Sequence, residues 1–153
     1  MGAEDRIKEL GIEIAAGPAP VANYVPAVRT GNLVFLSGQL PSRPDGTRVL
    51  GKVGVDVDVQ AGYDAARQAT VGLLGRLRDF LGSLDNVTRI VKVNGYVNSA
   101  PDFQQQPQVV NGASDLLVEV FGEAGKHARA AVSAGSLPFG AAVEIEMVVE
   151  VAP

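Results

Sequence analysis

The segment from Lys126 to Val151 constrains the fold of this chain more than any other stretch. It holds two β-type runs on either side of a Gly-Ser-Leu-Pro-Phe-Gly turn at 135–140. The second run alternates apolar and polar residues, which is typical of a strand with one buried face. The apolar positions on that face are Val143, Ile145, Met147, Val149 and Val151.

Both runs also carry charge in unusual places for strands. Arg129 begins the first run, and Glu144 and Glu146 lie within the second. An arginine and a glutamate on neighbouring strands can hold a small carboxylate and move a proton beside it. This pair is the first indication of chemistry in the sequence.

The remaining chain predicts an α/β (α+β) fold in the order β-β-α-β-α-β-β, preceded by a short helical extension at about 3–11. Apolar spacing and turn residues predict a mixed sheet with two long helices on one face. At 153 residues, the whole chain 1–153 is expected to form a single domain. The predicted strands cover 25–30, 33–37, 88–97, 129–134 and 142–151, the helices 58–84 and 107–121, and a loop 12–23.

The two faces of the predicted sheet differ in composition. Val91, Val93 and Val97 are expected to join the apolar face of the last strand, against the helices. The opposite face is too mixed for a second core and too rich in small residues to be simply solvated. We expect other copies of the chain to cover it, leaving polar pockets between them. Its predicted members are Asn94, Tyr96, Arg129, Ala131, Ser133, Glu144 and Glu146.

Composition excludes several classes of function. The chain has no cysteine, so disulfides and thiolate chemistry are excluded, and His127 is its one histidine, so a multi-histidine metal site within one chain is excluded. The net charge is −4 and the basic residues are scattered, which disfavours a nucleic-acid partner. The sequence has neither a secretory signal nor an apolar run of ~18 residues, so we expect a cytoplasmic protein without a membrane partner.

Several motifs together resemble the reactive intermediate deaminase family, known as RidA, YjgF or L-PSP endoribonuclease. They are Asn23-Tyr24-Val25, the strand and turn at 31–41 (GNLVFLSGQLP), Asp102-Phe103, Asn111, Ala128-Arg129-Ala130, Leu137-Pro138 and Val143-Glu144-Ile145-Glu146. Each motif alone is weak, but the combination is specific and covers about residues 20–151.

The resemblance implies a chorismate mutase-like fold and a homotrimer with ligand pockets at the subunit interfaces. It implies hydrolysis of reactive enamines and imines such as 2-aminoacrylate to 2-keto acids and ammonia, as in a 2-iminobutanoate/2-iminopropanoate deaminase. Neither a metal nor an organic cofactor is expected, and the ligand would be a small molecule bearing a carboxylate.

The resemblance also assigns roles to residues. Arg129 matches the carboxylate-binding arginine, and Glu144 matches a glutamate beside a bound water, with Tyr24 as a third catalytic candidate in the pocket wall. Strand spacing alone would favour an ordinary ion pair for Arg129 and a solvated position for Glu144. Further substrate-binding candidates are Ser37, Gly38, Asn111 and Ala131. His127 is expected to be structural or at the pocket rim, not a general base.

Two departures from the family pattern leave the function open. Ala131 stands where the family often has cysteine, so a thiol mechanism is impossible, although backbone groups there are retained. An insertion around Gln104–Pro107 separates Asp102-Phe103 from Asn111 and indicates a longer, less characterised branch. The alternative function is a non-catalytic trimer that binds or senses a keto acid. Ribonuclease activity is disfavoured by the acidic composition and the single histidine.

Overall fold

The computed structural model describes residues 1–16 and 23–153. The strands and helices confirm the predicted order. Of the predicted loop at 12–23, residues 17–22 lie outside the described residues, and the others form neither helix nor strand. Within the described ranges, no helix has the length and apolar character needed to cross a membrane. The strands are β1 Ala27–Thr30, β2 Leu33–Gln39, β3 Val87–Asn98, β4 Ala128–Ala134 and β5 Val143–Val151, and the helices are α1 Ala3–Glu9, α2 Val59–Leu81 and α3 Gln106–Phe121.

One five-stranded sheet organises the fold, with strand order β1-β2-β5-β3-β4. β3 and β4 run parallel, whereas the other neighbours are antiparallel, so the sheet is mixed as predicted. β5 is the central strand, and β1 and β4 are the edges. α2 and α3 pack together on one face, where their Leu, Val and Ala stripes meet the alternate apolar residues of β5 in a single core.

Helix α2 is bounded by residues suited to helix ends. The Asp58 carboxylate accepts a 2.7 Å hydrogen bond from the backbone N–H of Ala61, which caps the first turn. Gly82 has φ 83°, a left-handed conformation that ends the helix at Leu81, three residues before the predicted boundary. The predicted stripe is therefore interrupted: Phe80 is 45% exposed, and Leu84 enters the core from a separate 3₁₀ turn.

A bulge in β3 makes one core prediction wrong. Ile90 lies opposite Val149 and Lys92 lies opposite Val148, so Val91 is an extra residue in the ladder. The extra residue reverses the side-chain alternation at that point. Ile90, and not Val91, therefore reaches the helix-covered face beside Val93.

The register of β4 corrects the predicted faces of the sheet. Arg129, Ala131 and Ser133 lie beside Val93, Gly95 and Val97 in parallel register. Val93 and Val97 are buried under the helices, and side-by-side residues of paired strands project to the same face. These three β4 residues therefore project to the helix side, and their predicted place on the opposite face is wrong. The small residues of β4 carry too little apolar pattern to reveal which face is which.

The N-terminal helix docks against the end of α2. Ile7 is buried, and the Arg78 guanidinium pairs with the Glu4 carboxylate at 2.6 Å. Glu4 also accepts a 2.9 Å hydrogen bond from the backbone N–H of Leu84. Partial burial opposes ionisation of Glu4, but these hydrogen bonds outweigh it and lower the pKa of the carboxyl.

Helices α2 and α3 approach closely at one glycine. A Cβ atom on Gly112 would lie 2.0 Å from the backbone oxygen of Tyr63. Polar pairs follow the same crossing: the Tyr63 hydroxyl donates to Asp115 at 2.6 Å, and Arg67 pairs with Glu119 at 2.8 Å. The bond to Asp115 raises the pKa of Tyr63 to about 12. The helix spacing therefore depends on the absence of a side chain at position 112.

Substituting Gly112→Ala tests this close approach. We expect a loss of about 1–3 kcal/mol in the free energy of unfolding, because the helices must separate despite alanine's higher helix propensity. Urea denaturation measures the change. Gly135→Ala is the control, since its Cβ would meet no atom within 4 Å. Equal stability of the two variants would show that the crossing relaxes without cost.

Candidate functional site

Glu144 occupies the sheet face that the helices leave open. Its side chain is half-buried and lies against Gly38 at the end of β2, where a Cβ atom would be 2.3 Å from Glu144 Oε1. Any larger residue at position 38 would displace the carboxylate. The glycine therefore makes room for Glu144 and holds the end of β2 beside it.

The surroundings of Glu144 favour its protonated form. Burial raises the pKa of this carboxyl, and the nearby Glu146 charge adds to the effect. Glu146 is held as an acceptor by the Tyr96 hydroxyl at 2.8 Å and by the Asn94 amide at 3.2 Å. Glu144 thus exchanges a proton closer to neutral pH than an ordinary glutamate, which suits general acid–base chemistry.

Ser37 links the Tyr24 segment to the same region. Its hydroxyl donates to the backbone oxygen of Val25 at 2.7 Å, and its backbone N–H donates to the backbone oxygen of Pro26 at 2.9 Å. The Ser37 proton is therefore committed to the backbone. The neighbouring Tyr24 side chain is 56% exposed and available to a ligand or another chain. We call Tyr24, Ser37, Gly38 and Glu144 the glutamate half-site.

Arg129 lies at a different place, where the β4 edge meets α3. Its Nη1 donates to Asn111 Oδ1 at 2.7 Å and to Ser114 Oγ at 3.1 Å. Asn111 therefore binds the arginine of its own chain. Ala131 lies two residues further along β4, beside Gly95, and is partly buried against the core. We call Asn111, Ser114, Arg129 and Ala131 the arginine half-site.

A single chain does not bring the two half-sites together. Arg129 projects to the helix side of β4, whereas Glu144 projects from the open face of β5. The two strands are separated by β3, so their backbones are about 10 Å apart at the ~4.8 Å strand spacing. The convergence of Arg129 and Glu144 expected from neighbouring strands is therefore absent within one subunit, because strand order and register separate them.

The inserted segment contacts the arginine edge of the sheet. Gln106 begins α3, and its amide nitrogen donates to Phe103 O at 2.9 Å and to Ser133 Oγ at 2.7 Å. The Ser133 hydroxyl also lies 2.6 Å from that of Ser99. The insertion is thus hydrogen-bonded to the end of β4, at Ser133, two residues beyond Ala131.

A cleft of about 1070 Å³ lies elsewhere in the fold. It is formed by the segment after α1, the turn at 42–50 and one side of α2, and none of the predicted site residues lines it. In the same described ranges, no group of three or more acidic, histidine or cysteine side chains is placed to hold a metal ion.

One site residue, Ser114, was missed by sequence reasoning, and His127, which was expected to be structural or at the pocket rim, lies next to it. Ser114 contacts Arg129, and His127 Nε2 lies 2.9 Å from Ser114 Oγ. The i, i+3 spacing of Asn111 and Ser114 puts both on one side of α3. That spacing was the available signal, but serine on a helix surface is too common to be specific.

Comparison of this sequence with known proteins shows which family it resembles. The sequence profile described as "YjgF/chorismate mutase-like, putative endoribonuclease" matches residues 4–151. Protein TCP17 of Trypanosoma cruzi is 46% identical over 145 residues, which cover 94% of this chain and 91% of that protein. The 2-iminobutanoate/2-iminopropanoate deaminase of Dermatophagoides farinae is 30% identical over 138 residues, covering 90% and 93%.

Solved structures agree with the sequence relationship. The protein Atu1372 of unknown function from Agrobacterium tumefaciens superposes with a TM-score of 0.89 at 46% identity, covering 98% of this chain and 94% of that one. The fold is thus the expected chorismate mutase-like α+β fold. With a profile match over nearly its full length, the chain belongs to the YjgF/RidA family.

Proposed function

We propose that this protein hydrolyses small imines and enamines bearing a carboxylate to 2-keto acids and ammonia. The observation that carries the proposal is the way Arg129 is held. The name of the Dermatophagoides farinae relative, a 2-iminobutanoate/2-iminopropanoate deaminase, supports the same reaction class. The substrate class follows from the chemistry of the two half-sites.

The Arg129 side chain is pre-set for a carboxylate. Its Nη1 is held by α3, while within the described residues Nη2 and Nε have no hydrogen-bond partner. An arginine donates two parallel hydrogen bonds from such an edge to a carboxylate. Because the side chain is already fixed, binding loses little conformational entropy, and the C=N carbon next to the carboxylate is aligned for attack.

Glu144 is the proposed proton-transfer group. A water beside its carboxylate attacks the C=N carbon and gives one proton to Glu144, which passes that proton to the nitrogen as the C=N double bond becomes single. In the resulting carbinolamine, Glu144 accepts the O–H proton as C=O forms and delivers it to the nitrogen, which leaves as ammonia, so that the carboxylate is regenerated. The raised pKa of Glu144 suits a group that both accepts and returns a proton.

The proposed assembly is a homotrimer in which the glutamate half-site of one subunit meets the arginine half-site of the next. Three observations support it: the half-sites lie on opposite sides of the sheet, β4 is an edge strand of the described sheet, and the open face carries exposed apolar side chains. Val28, Phe35 and Val132 on that face are 54%, 44% and 46% exposed in a single chain. Such a patch beside acidic groups is typical of a surface that another protein covers.

A second candidate is ligand binding without turnover. It is favoured by Ala131, which lacks the thiol that the family often has there, and by Arg129, which can bind a carboxylate without Glu144. A ribonuclease function has less support, because the Glu144–Glu146 pair would repel phosphates. Comparing imine turnover with keto-acid binding separates the first two candidates.

An imine assay with Arg129→Ala is the direct test. 2-Aminoacrylate is generated in situ by a dehydratase, and its loss is followed with and without the protein. We expect acceleration by the native chain and a loss of about 2–3 kcal/mol in Arg129→Ala, roughly 30- to 150-fold in kcat/KM. Arg89→Ala, on the exposed part of β3, should match the native rate. Pyruvate binding with no acceleration of any imine would favour the non-catalytic candidate.

Subunit complementation tests the shared site. Arg129→Ala and Glu144→Gln should each retain only a few per cent of native activity or less when alone, roughly the loss expected for Arg129→Ala. Unfolded together in equal amounts and refolded, they should recover about a quarter of native activity, because chance puts both intact half-sites at about one interface in four. Light scattering should show a trimer in every sample. A stable monomer, or no recovery in well-formed mixed trimers, would contradict the shared site.

The pH dependence of imine hydrolysis tests Glu144. Because burial and Glu146 raise the pKa of Glu144, activity that needs its carboxylate should fall at a higher pH than for an ordinary glutamate. Removing the neighbouring charge in Glu146→Gln should move this acid limb of kcat/KM to lower pH. Asp79→Asn, on the exposed end of α2, should leave it in place. If the acid limb of kcat/KM does not move in Glu146→Gln, the group that titrates there is not Glu144.

A further inference from the structure

The arginine half-site ends in a hydrogen-bond chain in which the donor and acceptor of each bond can be assigned from the atoms involved. His127 Nδ1 lies 2.6 Å from the backbone oxygen of Gly125, and Nε2 lies 2.9 Å from Ser114 Oγ. A carbonyl oxygen only accepts, so Nδ1 carries the ring proton. In the neutral ring Nε2 is then an acceptor, and the Ser114 hydroxyl donates to it.

This arrangement leaves the Ser114 oxygen as an acceptor for Arg129. Its hydrogen points to His127, and a lone pair receives Nη1 of Arg129 at 3.1 Å. Asn111 Oδ1 accepts from the same nitrogen at 2.7 Å. The chain from Gly125 through His127 and Ser114 to Arg129 therefore contains no donor facing a donor.

We propose that Ser114 and neutral His127 are positioning residues, which fix the Arg129 guanidinium so that its Nη2–Nε edge stays open for the carboxylate of the ligand. This inference rests on the proposed role of Arg129. It gives a function in binding to Ser114, which lies outside the predicted site, and to His127, which was expected only to be structural or at the pocket rim. It also explains why the guanidinium is anchored through one nitrogen only.

The groups around His127 keep the ring neutral. Burial lowers the pKa of His127, and the Arg129 charge lowers it further, against the opposing hydrogen bond to Gly125. α3 presents the uncharged Ser114 and Asn111, and Asp115 is bonded to Tyr63.

Charged groups on the neighbouring elements do not reverse this. Beyond the end of α3, Glu123 and Lys126 pair with each other at 2.7 Å in solvent. On β3, Lys92 lies opposite Ala128, one residue out of step with Arg129, and therefore projects to the open face of the sheet, away from the ring. A second proton on the ring would make Nε2 a donor and set two donors, His127 and Arg129, on the same serine oxygen.

Because His127 is the one histidine of the chain, its state can be read directly. Nitrogen-15 NMR of protein labelled in the imidazole ring should show a protonated Nδ1 and a bare Nε2 at neutral pH. In Arg129→Ala the His127 pKa should rise, since a positive charge is removed. The opposite tautomer, or a titration that ignores Arg129, would overturn the proposed chain without reference to any ligand.

Binding of pyruvate, the simplest 2-keto acid, tests whether Ser114 supports carboxylate binding by Arg129. Ser114→Ala should weaken its affinity by about tenfold, as expected for a lost hydrogen bond to a charged group. Ser114→Thr, which keeps the hydroxyl, should restore most of it. In the imine assay Ser114→Ala should raise KM with little change in kcat, which marks a binding effect. Ser42→Ala is the control, because Ser42 is exposed and lies far from Ser114 in the sequence.

The outcomes separate the two proposals. If Arg129→Ala leaves pyruvate affinity unchanged, the carboxylate clamp itself is wrong. If Arg129→Ala abolishes binding while Ser114→Ala matches the native protein, the clamp stands and the positioning role is wrong. Equal weakening by Ser114→Ala and Ser114→Thr would also overturn it, since the hydroxyl would then not be the group that matters.

Discussion

The alternation of β5 is the constraint on which the rest of the structure depends. Its apolar residues form the floor of the core under both helices, so the intervening Glu144 and Glu146 must project from the open face. A one-residue slip would bury both carboxylates and expose five apolar side chains. The same alternation that stabilises the core thus presents the two carboxylates, and burial together with the neighbouring Glu146 raises the pKa of Glu144.

Parallel pairing of β4 with β3 directs Arg129 to the helix side of the sheet, away from the open face that holds Glu144. Because Arg129 lies beside Val93, its side chain passes under the sheet toward α3, where polar partners hold one nitrogen. The fold therefore places Arg129 and Glu144 on opposite sides of one sheet. The exposed apolar side chains of the open face and the β4 edge fit the proposed contact between copies, which would bring these two groups together.

Sequence reasoning worked where a periodic apolar pattern was strong. β5, α3 and most of α2 were predicted within a few residues because their apolar stripes recur at the strand or helix period. It was wrong where one local feature shifted the pattern: the bulge at Val91 and the left-handed Gly82. It placed β4 correctly but was wrong about the face on which its side chains lie, because the alanines and serine of β4 suit either face. Ser114 was overlooked because its importance comes from contacts of α3 with His127 and Arg129 at the start of β4.

The sequence by itself determined the order of elements, the buried face of β5 and the family, because these depend on local periodicity and on short motifs. Only the tertiary structure decided that Arg129 and Glu144 lie on opposite faces, that Gly38 makes room for the carboxylate, and that Ser114 connects the histidine to the arginine. Each of these depends on strand order, register or helix docking, which join residues far apart in the chain and leave no mark in the spacing of either partner.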